Sequence, residues 1–412
     1  MARNRIAIVG ANLAGGRAAE ALRARGFDGQ IQLIGAERYP PYERPPLSKQ
    51  VLLGLTDEDG PMLRTAREWQ DLDVELIMGT RVDSIVPGER LVRFDSGGST
   101  KIDQILLCTG SRSRRLSQPG ADAAGIVYLR TLDQSVELRD RLQPGKRVVV
   151  IGGGLIGTEV AAAASQVGCH VTVVELDVRP LGRVIGPNLA RVMLSVHRAH
   201  GVEFKLGCAP EAFQPDGRGY SVKLTSGERL AADVLVAGIG VEPETQLAVD
   251  AGAEVANGVV VDEFCRTRVG EGVLAAGDVA NHPSRLFSSR LRLENWDHAQ
   301  RHAQAAAASL LGSNEPYESV PWFWSDQYDV NLQVGGIPTW ADERVVRGDP
   351  ESLSFCEFGL RSGTLVSVTG INRAKDVRRS LRLIASQVRP DPELLKDESQ
   401  DLRTLRTPIA AG

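Results

Sequence analysis

A strand, a glycine-rich turn, an alanine-rich helix and a second strand leading to an acid occur twice in this chain, and no other feature restricts its fold as far. In the first copy Ile6-Ala7-Ile8-Val9 runs into Gly10, Asn12, Leu13, Ala14 and Gly15; Ala18, Ala19, Ala21 and Leu22 follow, Gly26 stops the helix, and Ile31-Gln32-Leu33-Ile34 leads to Glu37. In the second copy Val148-Val149-Val150-Ile151 meets Gly152, Gly153, Gly154, Leu155, Ile156 and Gly157; alanines fill 161–164, Gly168 stops the helix, and Val171-Thr172-Val173-Val174 leads to Glu175. The spacing carries a mechanism. The first glycine permits a tight turn, the second lets backbone approach a pyrophosphate, and the third lets the helix close on the strand. The helix start then offers unpaired N–H groups and a positive dipole end to phosphates, and the acid can accept hydrogen bonds from a ribose diol. One such loop is a weak signal. Two complete units describe a chain with two dinucleotide sites.

Asn12 stands where the middle glycine belongs. Asparagine tolerates unusual backbone angles better than most side chains, so the loop is expected to form with slightly less room beside the phosphates. Three further buried strands end in turns: residues 101–110 finish in Thr109-Gly110, residues 230–240 in Ile239-Gly240, and residues 272–278 in Gly277-Asp278.

Composition sets outer limits. At 412 residues, 42% hydrophobic and 24% charged, the chain is an ordinary globular protein of two to three domains. A net charge of -4 argues against a general nucleic-acid binder. The chain has no apolar stretch of about 18 residues to span a membrane, and the first strand begins too early to leave room for a signal peptide. The five cysteines, Cys108, Cys169, Cys208, Cys265 and Cys356, are widely separated and form no C-x-x-C pair, which points to buried core residues in a cytoplasmic protein.

Taken in order, the motifs at 10–15, 109–110, 152–157 and 277–278 resemble the flavoproteins with two dinucleotide-binding domains related to glutathione reductase. Within that group Arg44-Pro45-Pro46-Leu47-Ser48-Lys49, Glu294-Asn295-Trp296-Asp297-His298-Ala299 and Pro321-Trp322-Phe323-Trp324-Ser325-Asp326-Gln327 are similar to segments of FAD-dependent NADH:ferredoxin reductases. Those enzymes serve bacterial haem monooxygenases and ring-hydroxylating dioxygenases. The resemblance covers the chain except a polar tail after about Arg389. It implies an α/β fold of two Rossmann-like domains plus a small α/β C-terminal domain. The expected segments are 1–112 and 242–314 for FAD, 113–241 for NAD, and 315–412 for the interface domain, where residues 331–334 and 365–369 read as strands and Gly335-Gly336 as a turn.

The same resemblance implies residue roles. Gly10, Asn12, Leu13, Ala14, Gly15, Thr109, Gly110 and Gly277 would surround FAD, with Glu37 on the adenosine ribose and Val82 meeting the adenine through backbone. Arg44 and Lys49 would lie near the flavin, Arg130 would approach FAD, Asp278 would contact the ribityl chain or pyrophosphate, and Trp296 would begin a helix aimed at the pyrimidine edge. For NAD, Gly152, Gly154, Leu155, Ile156 and Gly157 would hold the phosphates, Glu175 the ribose and Arg183 a phosphate or the adenine. Glu159 would approach the carboxamide, and Ile239 and Gly240 would line the nicotinamide pocket. Lys49 and Glu159 would tune the flavin electrostatically without a covalent role.

Competing readings bear on three features. Trp322 and Trp324 are core of the last domain or lie at the flavin edge. Glu294, His298 and His302 recur every four residues, but the helix lacks the glutamate of a zinc-protease motif and no further ligand is visible, so no metal is expected. Residues 373–382 read as an amphipathic helix with Val377, Leu381 and Ile384 inward. Its outer face, Lys375, Arg378, Arg379 and Arg382, is either solvated or docks an acidic partner, with Arg290 and Arg292 a second candidate patch. The reading is an NADH-dependent FAD enzyme, monomer or dimer, reducing a small acidic ferredoxin, with no nucleic-acid or membrane partner. The alternatives are a rubredoxin reductase, a reductase of a small acceptor, and a cofactor-sensing interaction protein like the apoptosis-inducing factors. A disulfide reductase is disfavoured because no cysteine pair lies near Lys49.

Overall fold

Strands Arg5–Val9 and Arg147–Ile151 are buried at every residue but the first, as apolar runs covered on both faces require. The computed structural model describes residues 4–217, 219–270 and 272–406. Each of these strands sits inside a parallel sheet. The first sheet has the order Val273–Ala275, Gln104–Leu107, Arg5–Val9, Gln30–Ile34, Val74–Ile77; the second has the order Glu203–Leu206, His170–Glu175, Arg147–Ile151, Val234–Ala237. Register repeats between the copies: Val9 pairs with Ile34 just before the first loop, and Ile151 with Val174 just before the second.

The chain forms two compact units that interleave in sequence. The first holds the described residues up to Arg44 with Asp59–Arg112 and Val241–Ser319, and contains the first sheet. Its core brings Ala18, Ala19 and Leu22 of helix Leu13–Ala24 together with Ala303, Ala306 and Ala307 of helix Trp296–Leu310. The small side chains explain why both helices are alanine-rich, since each methyl lets the backbones approach. The second unit holds Pro45–Glu58, Ser113–Gly240 and the described chain from Val320 onward. The proline-rich segment is therefore divided, with Arg44 folding in one unit and Lys49 in the other.

From residue 322 the second unit contains a five-stranded antiparallel sheet in the order Trp322–Gln327, Val330–Gly336, Thr364–Ile371, Ser354–Arg361, Glu343–Asp349, with helix Ala374–Ala385 against it. Gly335-Gly336 is not a turn but forms the end of strand Val330–Gly336. A Cβ on Gly335 would stand 2.5 Å from the Leu381 side chain, and one on Gly336, at φ +73, would stand 2.0 Å from the Val366 carbonyl oxygen. Close packing, not chain reversal, requires glycine there. The described part of the polar tail folds as well: helix Pro392–Lys396 and turn Leu402–Thr404 bury Leu395, Leu402 and Leu405. Among the described residues no helix is long and apolar enough to cross a membrane.

Candidate dinucleotide sites

Both glycine loops are shaped by the same two close approaches. A Cβ on Gly10 would stand 2.1 Å from the Cys108 carbonyl oxygen, and one on Gly15 2.0 Å from the carbonyl oxygen of Gly10. In the second loop a Cβ on Gly152 would meet the Gly238 oxygen at 2.5 Å, and one on Gly157 the Gly152 oxygen at 1.9 Å. The middle position is different. Around Gly154 the nearest atom to a Cβ is 3.9 Å away, so the fold itself tolerates a side chain there.

Asn12 occupies that open position for a reason other than unusual backbone angles. Its φ of -114 and ψ of -166 are ordinary extended values. Its Oδ1 accepts from the N–H groups of Ala14 at 3.0 Å and Gly15 at 3.4 Å, and its Nδ2 donates to the Cys108 carbonyl at 2.6 Å. It is a helix cap that also ties two strand ends together. The second loop has no such cap: Gly154 leaves the N–H groups at the start of helix Leu155–Val167 without a side-chain acceptor.

At the first loop a cleft of about 300 Å³ gathers Gly10, Asn12, Glu37, Arg44, Val82 and Thr109, six of the expected FAD residues. Glu37 accepts from Arg44 at 2.8 Å and from the Tyr42 hydroxyl at 2.5 Å. Burial works against the Arg44 charge, but Tyr42 and Glu37 hold its pKa above the ordinary value. Glu244, Gln246, Leu247 and Asp250, absent from the sequence reading, line the same cleft. Thr109 Oγ1 donates to the Glu244 carbonyl at 2.6 Å, and the Glu244 N–H returns a bond to Gly110 at 2.9 Å. Next to the loop, Gly277 lies against Ala14, and the Asp278 carboxylate accepts from Ser111 Oγ at 3.1 Å. Leu13 is buried in the core, and Trp296, partly buried, opens the helix capped by Asn295. Lys49 and Arg130 belong to the second unit, where Arg130 precedes the capping box of Thr131 and Gln134. The backbone-only approaches at Gly10 and Gly15, with an acid at the next strand end, fit a dinucleotide.

In the second unit Glu175 is 6% exposed, and its two oxygens accept from the Gly153 N–H at 2.6 Å and the Asp177 N–H at 2.8 Å. Each oxygen keeps a further lone pair for a ribose hydroxyl. Ile156 and Arg183 are exposed near the loop, Leu155 and Ile239 pack partly buried against core clusters, and Gly240 takes φ +95. Leu176 and Val178 beside Glu175 are also exposed, an apolar surface that no sequence pattern signalled. An uncapped helix start beside a carboxylate suits a second dinucleotide.

Lys49 and Glu159, far apart in sequence, meet as a buried ion pair at 2.8 Å. Glu159 also accepts from Ser48 Oγ and, at 2.6 Å, from Ser325 Oγ. Gln327 Nε2 donates to Ser325 at 2.9 Å and Thr158 at 3.1 Å, and Gln327 Oε1 faces His197 Nε2 at 2.7 Å. Burial lowers His197 to about 4. Ser325 and Gln327 come from the tryptophan-rich motif, whose Trp322 and Trp324 rings stack at 5.3 Å. Ser48, Lys49, Glu159, Ser325 and Gln327 stand in motifs visible in the sequence, Thr158 and His197 do not, and nothing in the sequence signalled that they converge.

The remaining candidates divide. All five cysteines are free and buried, and burial raises every thiol pKa. Arg290 is exposed and donates to the carbonyls of Val261 and Asn281, whereas the Arg292 side chain is 8% exposed and pairs with Glu294 at 2.6 Å. Arg378, Arg379 and Arg382 line a groove with Arg403 and Arg406, while the inner face of their helix uses Val377, Leu383 and Ile384, with Leu381 only partly buried.

Comparison with known proteins agrees with this geometry along the whole chain. Residues 4–303 match the pyridine nucleotide-disulphide oxidoreductase family and residues 322–406 the reductase C-terminal family, which takes in most of the tail. The ferredoxin–NAD(+) reductase component of the Burkholderia cepacia anthranilate 1,2-dioxygenase system is 42% identical over 96% of this chain and 98% of its own. The 5,5'-dehydrodivanillate O-demethylase ferredoxin reductase subunit of Sphingobium sp. is 40% identical over 97% of each. Among solved structures, the covalent putidaredoxin reductase–putidaredoxin complex aligns with a TM-score of 0.94 at 35% identity, covering 98% of both chains. With two glycine loops of matching geometry and a family match across both units, the chain belongs to the pyridine nucleotide-disulphide oxidoreductase family.

Proposed function

We propose that this chain is an FAD-dependent NADH:ferredoxin oxidoreductase that delivers electrons one at a time to a small acidic iron–sulfur ferredoxin serving a haem monooxygenase or ring-hydroxylating dioxygenase. The observation that carries this is the pair of glycine loops in a chain whose five cysteines are all free and buried. Two dinucleotides are provided for, with no dithiol to relay electrons between them and an acceptor. Bound FAD supplies the hydride and single-electron chemistry. The protein positions and tunes. The Asn12 cap and the Gly10 and Gly15 approaches fix the first loop. The uncapped start of helix Leu155–Val167 presents N–H groups to the phosphates of NADH, and Glu175 accepts from its ribose diol and repels a 2′-phosphate. The Lys49–Glu159 pair, fixed in place by Ser48 and Ser325, holds opposite charges in a set orientation before a substrate arrives. The groove of five arginines offers an acidic partner an attractive surface. The cytoplasm is the compartment that such thiols and partners suit.

The test is steady-state reduction of a panel of purified ferredoxins and rubredoxins by the purified yellow protein. At least one ferredoxin should turn over well, with NADH preferred over NADPH by about 30- to 1000-fold in kcat/KM, corresponding to roughly 2–4 kcal/mol of lost hydrogen bonding and like-charge contact. Slow reduction of every iron–sulfur acceptor would favour the cofactor-sensing reading. Equal use of the two nucleotides would remove Glu175 from its role.

A further inference from the structure

We propose that His282, His298 and His302 form a buried three-imidazole site for one divalent transition-metal ion, zinc being the best fit. The inference stands apart from the redox reading. His298 and His302 lie one turn apart on helix Trp296–Leu310, and the third member is not Glu294, which pairs with Arg292, but His282 from strand Ala280–Ser284. The three residues are 4%, 1% and 0% exposed. Each holds a ring nitrogen in the interior without a hydrogen-bond partner: Nδ1 of His282, Nε2 of His298 and Nε2 of His302. One ligating atom from each histidine lies within 4.8 Å of the others, and the ring centroids are 4.8 to 5.0 Å apart.

An ion at the centre of such a triangle needs each nitrogen to move inward by about 0.7 Å at most to reach a Zn–N distance of about 2.0–2.1 Å. Rotation of the rings, which lie at 19° to 51° to one another, would have to supply that and bring each in-plane lone pair onto the ion. Outer contacts of the kind that orient ligating histidines are also present: His298 Nδ1 meets the Tyr317 hydroxyl at 3.0 Å, and that hydroxyl meets Ser319 Oγ at 3.0 Å. His302 Nδ1 accepts from the Gly277 N–H at 3.3 Å, a long bond that ligation through Nε2 would break, because the ring proton must then sit on Nδ1. Three neutral nitrogen donors with a vacant fourth position suit zinc, cobalt or nickel, and not the oxygen-seeking calcium or magnesium. Such an ion would tie helix Trp296–Leu310 to strand Ala280–Ser284 behind Gly277 and Asp278.

The test uses the full-length FAD-loaded protein, stripped with a chelator, given excess Zn²⁺, desalted and assayed by elemental analysis. Wild type should keep about one equivalent per chain, while a His298→Asn, His302→Gln double variant should keep less than about a tenth. Loading wild type with Co²⁺ should add visible bands to the red of the flavin absorption. X-ray absorption at the zinc edge should give nitrogen neighbours at about 2.0 Å with imidazole scattering. Zinc retained equally by wild type and variant, no retention by wild type, or an oxygen-only shell would each overturn the proposal. The last two measurements are made on wild type and decide the matter even if the variant does not fold.

Discussion

Asn12 shows how a departure from a motif can be misread at the level of one residue. Read as a glycine substitute, it should distort the loop; as a cap, it strengthens it. Its Oδ1 serves two of the four orphan N–H groups at the helix start, and its Nδ2 reaches the end of a neighbouring strand. Asn12→Ala should therefore lower stability by about 1 kcal/mol in urea unfolding, and Asn12→Gly by somewhat less than the alanine change. An alanine variant as stable as wild type would mean that the cap contributes nothing. The cysteines teach the opposite lesson: their spacing alone indicated buried thiols, and burial is where each is found.

At the level of elements, the C-terminal segment was the least legible part of the chain. Its composition is polar, yet Arg347 in strand Glu343–Asp349 is 4% exposed and donates to the carbonyls of Leu395, Asp397, Glu398 and Gln400, the shortest of these bonds being 2.6 Å. One guanidinium thus satisfies backbone groups that a short helix and its flanks cannot pair among themselves. Arg347→Met should cost about 2–4 kcal/mol, the scale of charge-assisted hydrogen bonds lost without replacement. Limited trypsin digestion should then cut after Lys396 or Arg403 in the variant, whereas wild type should resist. An unchanged digestion pattern would show that Leu395 and Leu402 anchor the segment without the arginine.

At the level of the whole molecule, a net charge of -4 hides a local excess of the opposite sign. Arg378, Arg379 and Arg382 come from one helix, while Arg403 and Arg406 come from the segment latched by Arg347, and all five line one groove. Arg379 is held loosely by Asp376 at 3.7 Å and Arg403 closely by Asp401 at 2.5 Å, which offsets part of their charge, but the groove lining itself holds five arginines and no acid. The double variant Arg379→Glu, Arg382→Glu should leave stopped-flow flavin reduction by NADH unchanged. Ferredoxin reduction at low ionic strength should fall by about an order of magnitude. The deficit should shrink with added salt, as screening lengths fall from about 10 Å at 0.1 M to about 3 Å at 1 M. An unaffected ferredoxin rate at low salt would assign the groove to solvent.

The sequence by itself determined the two glycine loops, the strands that feed them, the acids that follow and the lack of a cysteine pair. These are local facts: turn geometry, strand burial and helix starts depend on residues within one strand–turn–helix unit, so their spacing is visible in the chain. Only the tertiary structure decided which distant side chains meet. Lys49 finds Glu159, to which Ser325 also donates, His282 replaces Glu294 beside His298 and His302, and Arg403 and Arg406 complete the arginine groove. No periodicity records such meetings, because each depends on how separate elements pack and on which buried polar groups are left to satisfy one another.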